Sequence, residues 1–228
     1  YNDGAIMWLR ADEGVTTATE GASVTAWDDQ TPSANNGSNI TSPVYRATTN
    51  LINDNPTVDF STGNTGISIA DIGGLNVDQS LSKKFTIAFR TGDNNTPKQV
   101  IYEQGGATRG LNLYIQSGVL HLSAWNQASD GTGAPWNTGT IATVNTSSIA
   151  TDTEYIVTFD YAGNDAITGS ITGYLNGTSF GTPLSSIGRL YGHTDDIGLG
   201  DENGASRYAD GTTSGAASFD GYISEISY

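Results

Sequence analysis

The chain has 228 residues, 24 acidic against 9 basic side chains, a formal net charge of −15 and no Cys. That field repels nucleic acid and anionic membrane surfaces, so neither is expected as a partner, and the lack of thiols excludes disulfides, thiolate metal sites and a Cys nucleophile. No apolar run is long enough for membrane insertion, while 36% hydrophobic residues with 29 Gly suit a packed core of many short strands joined by turns. A single domain over residues 1–228 is expected, and because it opens on Tyr1 rather than Met, a domain excised from a longer chain with neighbouring domains.

In chain order, Ile6 to Arg10 reads as a short apolar strand and Ser23 to Trp27 as a second. Trp8 and Trp27 lie inside these patterns and are expected to pack. Residues 31–39 read as a long polar loop, with Asp28, Asp29 and Asn36 as turn residues rather than a second, weaker metal cluster. Pro56 to Phe60 and Thr65 to Asp71 are further strands, and Asp71 to Ser82 has room for a short helix. Phe85, Ile87 and Phe89 alternate with Thr86, Ala88 and Arg90, a half-buried strand. After Gln99 to Glu103, Leu111, Leu113 and Ile115 pair across Ser117-Gly118 with Leu120, Leu122 and Ala124. The opposite face of that hairpin is polar with aromatics, as a sheet facing water or a ligand would be.

A glycine-rich segment from Asn126 to Gly139 carries Trp136, and Thr140 to Val144 reads as a short strand. The strongest pattern runs from Glu154 to Phe180, where Tyr155, Val157, Phe159 and Tyr161 alternate with polar residues, a turn at 162–165 intervenes, and Ile171, Gly173 and Leu175 resume the alternation. Asn176-Gly177 then marks a type I′ hairpin, giving three antiparallel strands. Ile197 to Leu199 is a strand, Gly200 to Ser218 a polar loop, and Phe219 to Tyr228 closes the domain. Ile223 and Ile226 are three apart, so a bulge is expected near Ser224 or Glu225.

Trp8-Leu9-Arg10-Ala11-Asp12, Gly14-Val15, Trp27-Asp28-Asp29-Gln30, Tyr174-Leu175-Asn176-Gly177 and Phe219 to Ile226, in that order and spacing, resemble the bacterial concanavalin A-like (laminin G-like) jelly-roll domains of lectins, glucanases and surface adhesins. The resemblance implies an all-β, two-sheet antiparallel jelly-roll sandwich. It also implies a binding module, extracellular or on the bacterial cell surface, that takes a glycan or other cell-surface ligand, commonly with calcium. A cysteine-free acidic chain suits that setting. A structural or peptide-binding adhesin domain is the second reading, and a glycan hydrolase or lyase the third.

Glycosidases of that family carry a Glu-x-Asp-x-x-Glu strand, which sets an acid and a nucleophile on one face. No Glu-x-Asp occurs here, and Asp152-Thr153-Glu154 reads as a turn entering a strand, so no catalytic residue is assigned and the chain is expected not to be an enzyme. His121, Tyr114 and Arg109 are the nearest approach to a lyase cluster. Asp196, Asp201, Asn203 and Asp210 crowd one glycine-rich loop region and are the candidate calcium ligands, against a solvated acidic loop. Trp125, Asn126, Asp130, Trp136 and Tyr208 are the candidate ligand-binding residues, since aromatic platforms flanked by amides and carboxylates suit a sugar; the alternative for both tryptophans is packing against the neighbouring sheet.

Overall fold

The apolar–polar alternation is realised as seventeen strands in a computed structural model that describes residues 4–80, 82–130, 135–136, 139–146, 148–163 and 169–228, with no side-chain account of 39 and 40. In chain order they are β1 (Trp8–Arg10), β2 (Ala26–Trp27), β3 (Gly37–Thr41), β4 (Val44–Arg46), β5 (Thr57–Asp59), β6 (Gly66–Ile69), β7 (Ser82–Thr91), β8 (Gln99–Gly105) and β9 (Gly110–Gln116). There follow β10 (Val119–Trp125), β11 (Ala142–Asn145), β12 (Glu154–Ala162), β13 (Gly169–Leu175), β14 (Thr178–Ile187), β15 (Ile197–Leu199), β16 (Ala217–Ser218) and β17 (Gly221–Ser227). The helical signal after Asp71 is a single 3₁₀ turn, Gly73–Asn76.

The strands form two sheets. The eight-stranded one runs β14-β13-β12-β7-β17-β5-β4, with β1 also on β17; the nine-stranded one runs β11-β10-β9-β8-β15-β6-β3-β2, with β16 on β8. All pairings are antiparallel except the two-residue β16–β8 contact. Phe85, Ile87, Phe89, Val157 and Phe159 from the first sheet and Leu111, Leu113, Leu120 and Leu122 from the second are all at most 1% exposed and share one core cluster. Phe85 and Tyr102 meet across the layers with ring centroids 4.7 Å apart. The chain is therefore an all-β two-sheet sandwich.

Local chemistry accounts for the registers. Asn176 and Gly177 hold φ of 50° and 79°, the positive pair a type I′ turn requires, so β13 and β14 pair directly. The register of β17 on β7 shifts between Ile223 and Glu225, which lets both Ile223 and Ile226 point inward at 0% exposure. The polar turn residues of the opening loop also act structurally. The Asp29 carboxylate accepts from Trp8 N at 2.8 Å, Thr31 N at 2.9 Å and Asn35 N at 2.8 Å, while Asn36 Oδ1 accepts from Asp29 N at 2.8 Å.

Three expectations need correction. The polar stretch 31–39 is not all loop, because β3 begins at Gly37, and β4 follows with only Tyr45 buried. The polar outer face of β8–β10 is largely covered, with only Gln116 and His121 of its expected outward residues partly exposed, because the 200–218 segment folds over it: Asn112 Nδ2 donates to Arg207 O at 2.8 Å and Ala209 N to Tyr114 Oη at 3.1 Å. That segment also contains β16, which lies on β8. Part of the turn expected at 162–165, namely Asn164 and Asp165, and part of the glycine-rich segment lie outside the described residues.

Candidate functional site

The expected aromatic platform is not at the surface. Trp125 lies on the outer side of β10 but is 0% exposed, its indole N–H donating to Gly106 O at 2.9 Å; Trp136 is also 0% exposed and donates to Ala124 O at 3.1 Å. Asn126 is buried and holds the 189–191 segment, its amide donating to Arg189 O at 2.6 Å and accepting from Tyr191 N at 3.0 Å. Asp130 takes both arms of Arg109, at 2.9 and 2.5 Å, so its oxygens are engaged. Tyr208 is buried edge-on against Tyr114, hydrogen-bonds to Glu202, and lies beneath Lys98, whose ammonium is 4.3 Å from its ring centroid. Each of these side chains has a partner within the fold, most of them on another strand or loop: Gly106 for Trp125, Arg189 and Tyr191 for Asn126, Arg109 for Asp130 and Glu202 for Tyr208.

The four candidate calcium ligands each have a protein partner of their own. Asp196 accepts from Asp71 N at 3.3 Å, Asp201 from Glu202 N at 2.8 Å, and Asp210 pairs with Lys98 at 2.7 Å. Asn203 donates to Ser68 Oγ at 3.0 Å. Among the described residues, no three Asp, Glu or His side chains converge as a metal site. The lyase cluster is also divided: Tyr114 stacks on His121 at 4.5 Å, while Arg109 is tied to Asp130.

The open face is the outer side of the eight-stranded sheet. Residues directly opposite in antiparallel strands share a face, and the registers line up Trp8, Ser227, Thr86, Thr158 and Tyr174 in one row across β1, β17, β7, β12 and β13. Each of these five is partly exposed. Four strand spacings make the row about 19 Å long. Trp8 is held at one end: its backbone N–H donates to Asp29, its indole N–H to Glu225 Oε1 at 2.5 Å, and the Arg10 guanidinium lies 4.9 Å from its ring centroid. Thr86 and Thr158 share a hydrogen bond of 2.9 Å at the centre.

Two cavities lie along β7 and β12 on either side of this row. One, of about 570 Å³, is lined by Lys84, Thr86, Asp160 and Ser227 and walled by Ile6 and Gly74. The other, of about 380 Å³, is lined by Ala88, Glu154, Ile156 and Glu225 and walled by Ile52 and Asn55. Both fall in the range of small-ligand sites. Trp8 was expected to pack, and the sequence did hold the contrary signal: Met7 and Leu9 are apolar and fully buried, so Trp8 shares the outward side with Arg10.

Beneath the larger cavity lies a buried polar cluster. Lys83 Nζ donates to Leu75 O at 2.6 Å and to Tyr228 Oη at 3.0 Å, and Tyr228 Oη donates to Gln104 at 3.3 Å. Burial pulls the Lys83 pKa down to about 8, with the Asp71 charge opposing the shift, and burial raises the Tyr228 phenol. His193 Nδ1 sits 2.6 Å from Asp71 Oδ2, both side chains 3% exposed. Under the 200–218 segment, burial holds the Glu103 carboxyl well above its usual range; the Asn203 backbone N–H opposes this, and the Glu202 and Asp195 charges add to it.

No protein-family model and no curated protein matches the chain. Solved structures do match it in fold. The receptor-binding domain of botulinum neurotoxin D has a TM-score of 0.62 at 13% identity, covering 99% of this chain and 49% of that one. Domain 4 of AbnA, a GH43 extracellular arabinanase from Geobacillus stearothermophilus, solved with arabinotriose, has a TM-score of 0.58 at 12% identity, covering 92% of each chain. The binding domain of botulinum neurotoxin DC in complex with SialylT has a TM-score of 0.52 at 12% identity, covering 100% and 47%. The chain thus spans about half the length of the neurotoxin binding domains it matches. At these identities the likeness is one of fold, a β-sandwich.

Proposed function

We propose that this chain is a non-catalytic carbohydrate-binding module whose ligand rests on the outer face of the eight-stranded sheet. The observation that carries the reading is the pair of cavities along β7 and β12, crossed by a row of hydroxyl side chains with a partly exposed indole at one end and a phenol at the other. Sugar rings offer apolar C–H faces to aromatic rings and hydroxyls to Thr, Ser and carboxylate groups. Like folds occur in an arabinanase domain solved with arabinotriose and in a toxin binding domain solved with SialylT, which supports a glycan ligand.

The same face supports binding without turnover. Glu154 and Asp160 lie six residues apart on one strand, about 20 Å, far beyond the roughly 5–9.5 Å between paired glycosidase carboxylates. Glu225 already accepts from the Trp8 indole. We place the module in an extracellular or cell-surface protein such as an adhesin, and assign no metal a part in it. A glycan array probed with the chain and with Trp8→Ala tests the reading: wild-type signal lost in the variant is expected, and an array without signal overturns it.

A further inference from the structure

The larger of the two cavities is not the whole site, and the charge lining the two together is not basic: Lys83 and Lys84 face Asp160 in the first, with the Lys83 ammonium turned onto Leu75 O and Tyr228 Oη, and Glu154 and Glu225 line the second. From these two facts we infer that the ligand is an unbranched, uncharged oligosaccharide chain of several units, lying along β7 and β12; the inference rests on the carbohydrate reading above. The first cavity is floored by Lys84 and Thr86 and the second by Ala88, so they lie end to end along β7, and the run from Ser82 to Ala88 spans about 20 Å. A single terminal sugar would need one pocket, whereas this face offers two, on either side of the hydrogen-bonded Thr86–Thr158 pair.

The pairing of the cations on this face selects against acidic sugars. Recognition of a carboxylate or sulfate favours an unpaired Arg fork or a cluster of cations. Here Arg10 is paired with Asp12 at 2.5 Å and Glu13 at 3.4 Å, and Arg90 faces Asp152 at 3.9 Å. Lys84 stands directly opposite Asp160 in the β7–β12 register. Glu154 and Glu225 add negative charge to the second cavity, and the whole chain carries −15. An anionic glycan would meet few free cations and a repelling field, while a neutral chain meets the Thr86 and Ser227 hydroxyls, with the Trp8 indole at the margin, bonded to Glu225 of the second cavity.

Isothermal titration calorimetry of the full chain tests this. The probes are neutral xylo-, gluco- and arabino-oligosaccharides from monosaccharide to hexasaccharide, with sialyllactose and oligogalacturonate as acidic probes, each at about 50 and about 500 mM salt. The expected result is a neutral series whose Kd falls at least about tenfold from one to four units, changes less than about twofold with salt, and weakens about tenfold in Trp8→Ala. Affinity independent of length, or an acidic probe bound more tightly and weakened by salt, leaves the carbohydrate reading standing and overturns the inference. Binding to none of the probes overturns both.

Discussion

Single residues decide where the surface of this protein is chemically available. Trp8 is placed by Asp29, whose carboxylate takes three backbone N–H groups and the Thr31 hydroxyl at 2.7 Å while only 9% exposed. Removing it orphans several buried donors, so Asp29→Ala is expected to cost about 2–4 kcal/mol in urea unfolding and to weaken ligand binding; an unchanged midpoint would show that the loop does not depend on it. Glu103 acts in the opposite sense. Its folded pKa is raised, so the folded state holds the proton more tightly, and stability falls as pH rises from the ordinary value of 4.5 through the folded one. Glu103→Gln should therefore gain Tm over wild type progressively as pH rises above 4.5, whereas an offset that does not change with pH would refute the assignment. Lys83 titrates from 10.5 unfolded to about 8 folded, so it adds up to about 3 kcal/mol of stability as pH rises between those values. Tyrosines with raised pKa, such as Tyr114 and Tyr161 at about 12, then reverse the trend above about pH 10. Lys83→Met should flatten the rise between pH 8 and 10 in chemical denaturation.

At the scale of elements, the hairpins and the bulge were legible in the sequence because their causes are local. Asn176-Gly177 needs two positive φ angles, and nothing lies within 4 Å of a Cβ added at Gly177, so Gly177→Ala should cost only the backbone penalty of about 1 kcal/mol. Gly173, on the inward side of β13, has the Phe180 ring where its Cβ would be, so Gly173→Ala should cost well over that. Equal unfolding midpoints for the two variants would contradict this packing. What the sequence concealed was non-local. The polar outer face of β9 and β10 looked like a ligand face, yet which of two polar faces remains open depends on where the 200–218 segment lands, and nothing in the periodicity of His121, Ser123 and Trp125 encodes that. The same applies to Asp201, Asn203 and Asp210: proximity in sequence suggested a metal site, but each met a different partner, Ser218, Ser68 and Lys98. Trp8 was misassigned although Met7 and Leu9 held the information, because three residues of strand are a short pattern to weigh against an aromatic's tendency to be buried.

At the scale of the molecule, the sandwich sets one face aside for its own loops and leaves the other open. Three of the four tryptophans, Trp27, Trp125 and Trp136, are 0% exposed, and the fourth sits on the open face. That distribution makes the central claim directly measurable. In a ¹H–¹⁵N spectrum the four indole N–H groups give separate signals, and titration with the oligosaccharide bound most tightly should shift the Trp8 indole signal together with the amides of Thr86, Thr158 and Tyr174, leaving the other three indoles in place. Shifts centred on Trp125, Trp136 and the 200–218 segment, with Trp8 unmoved, would contradict the assignment of the binding face.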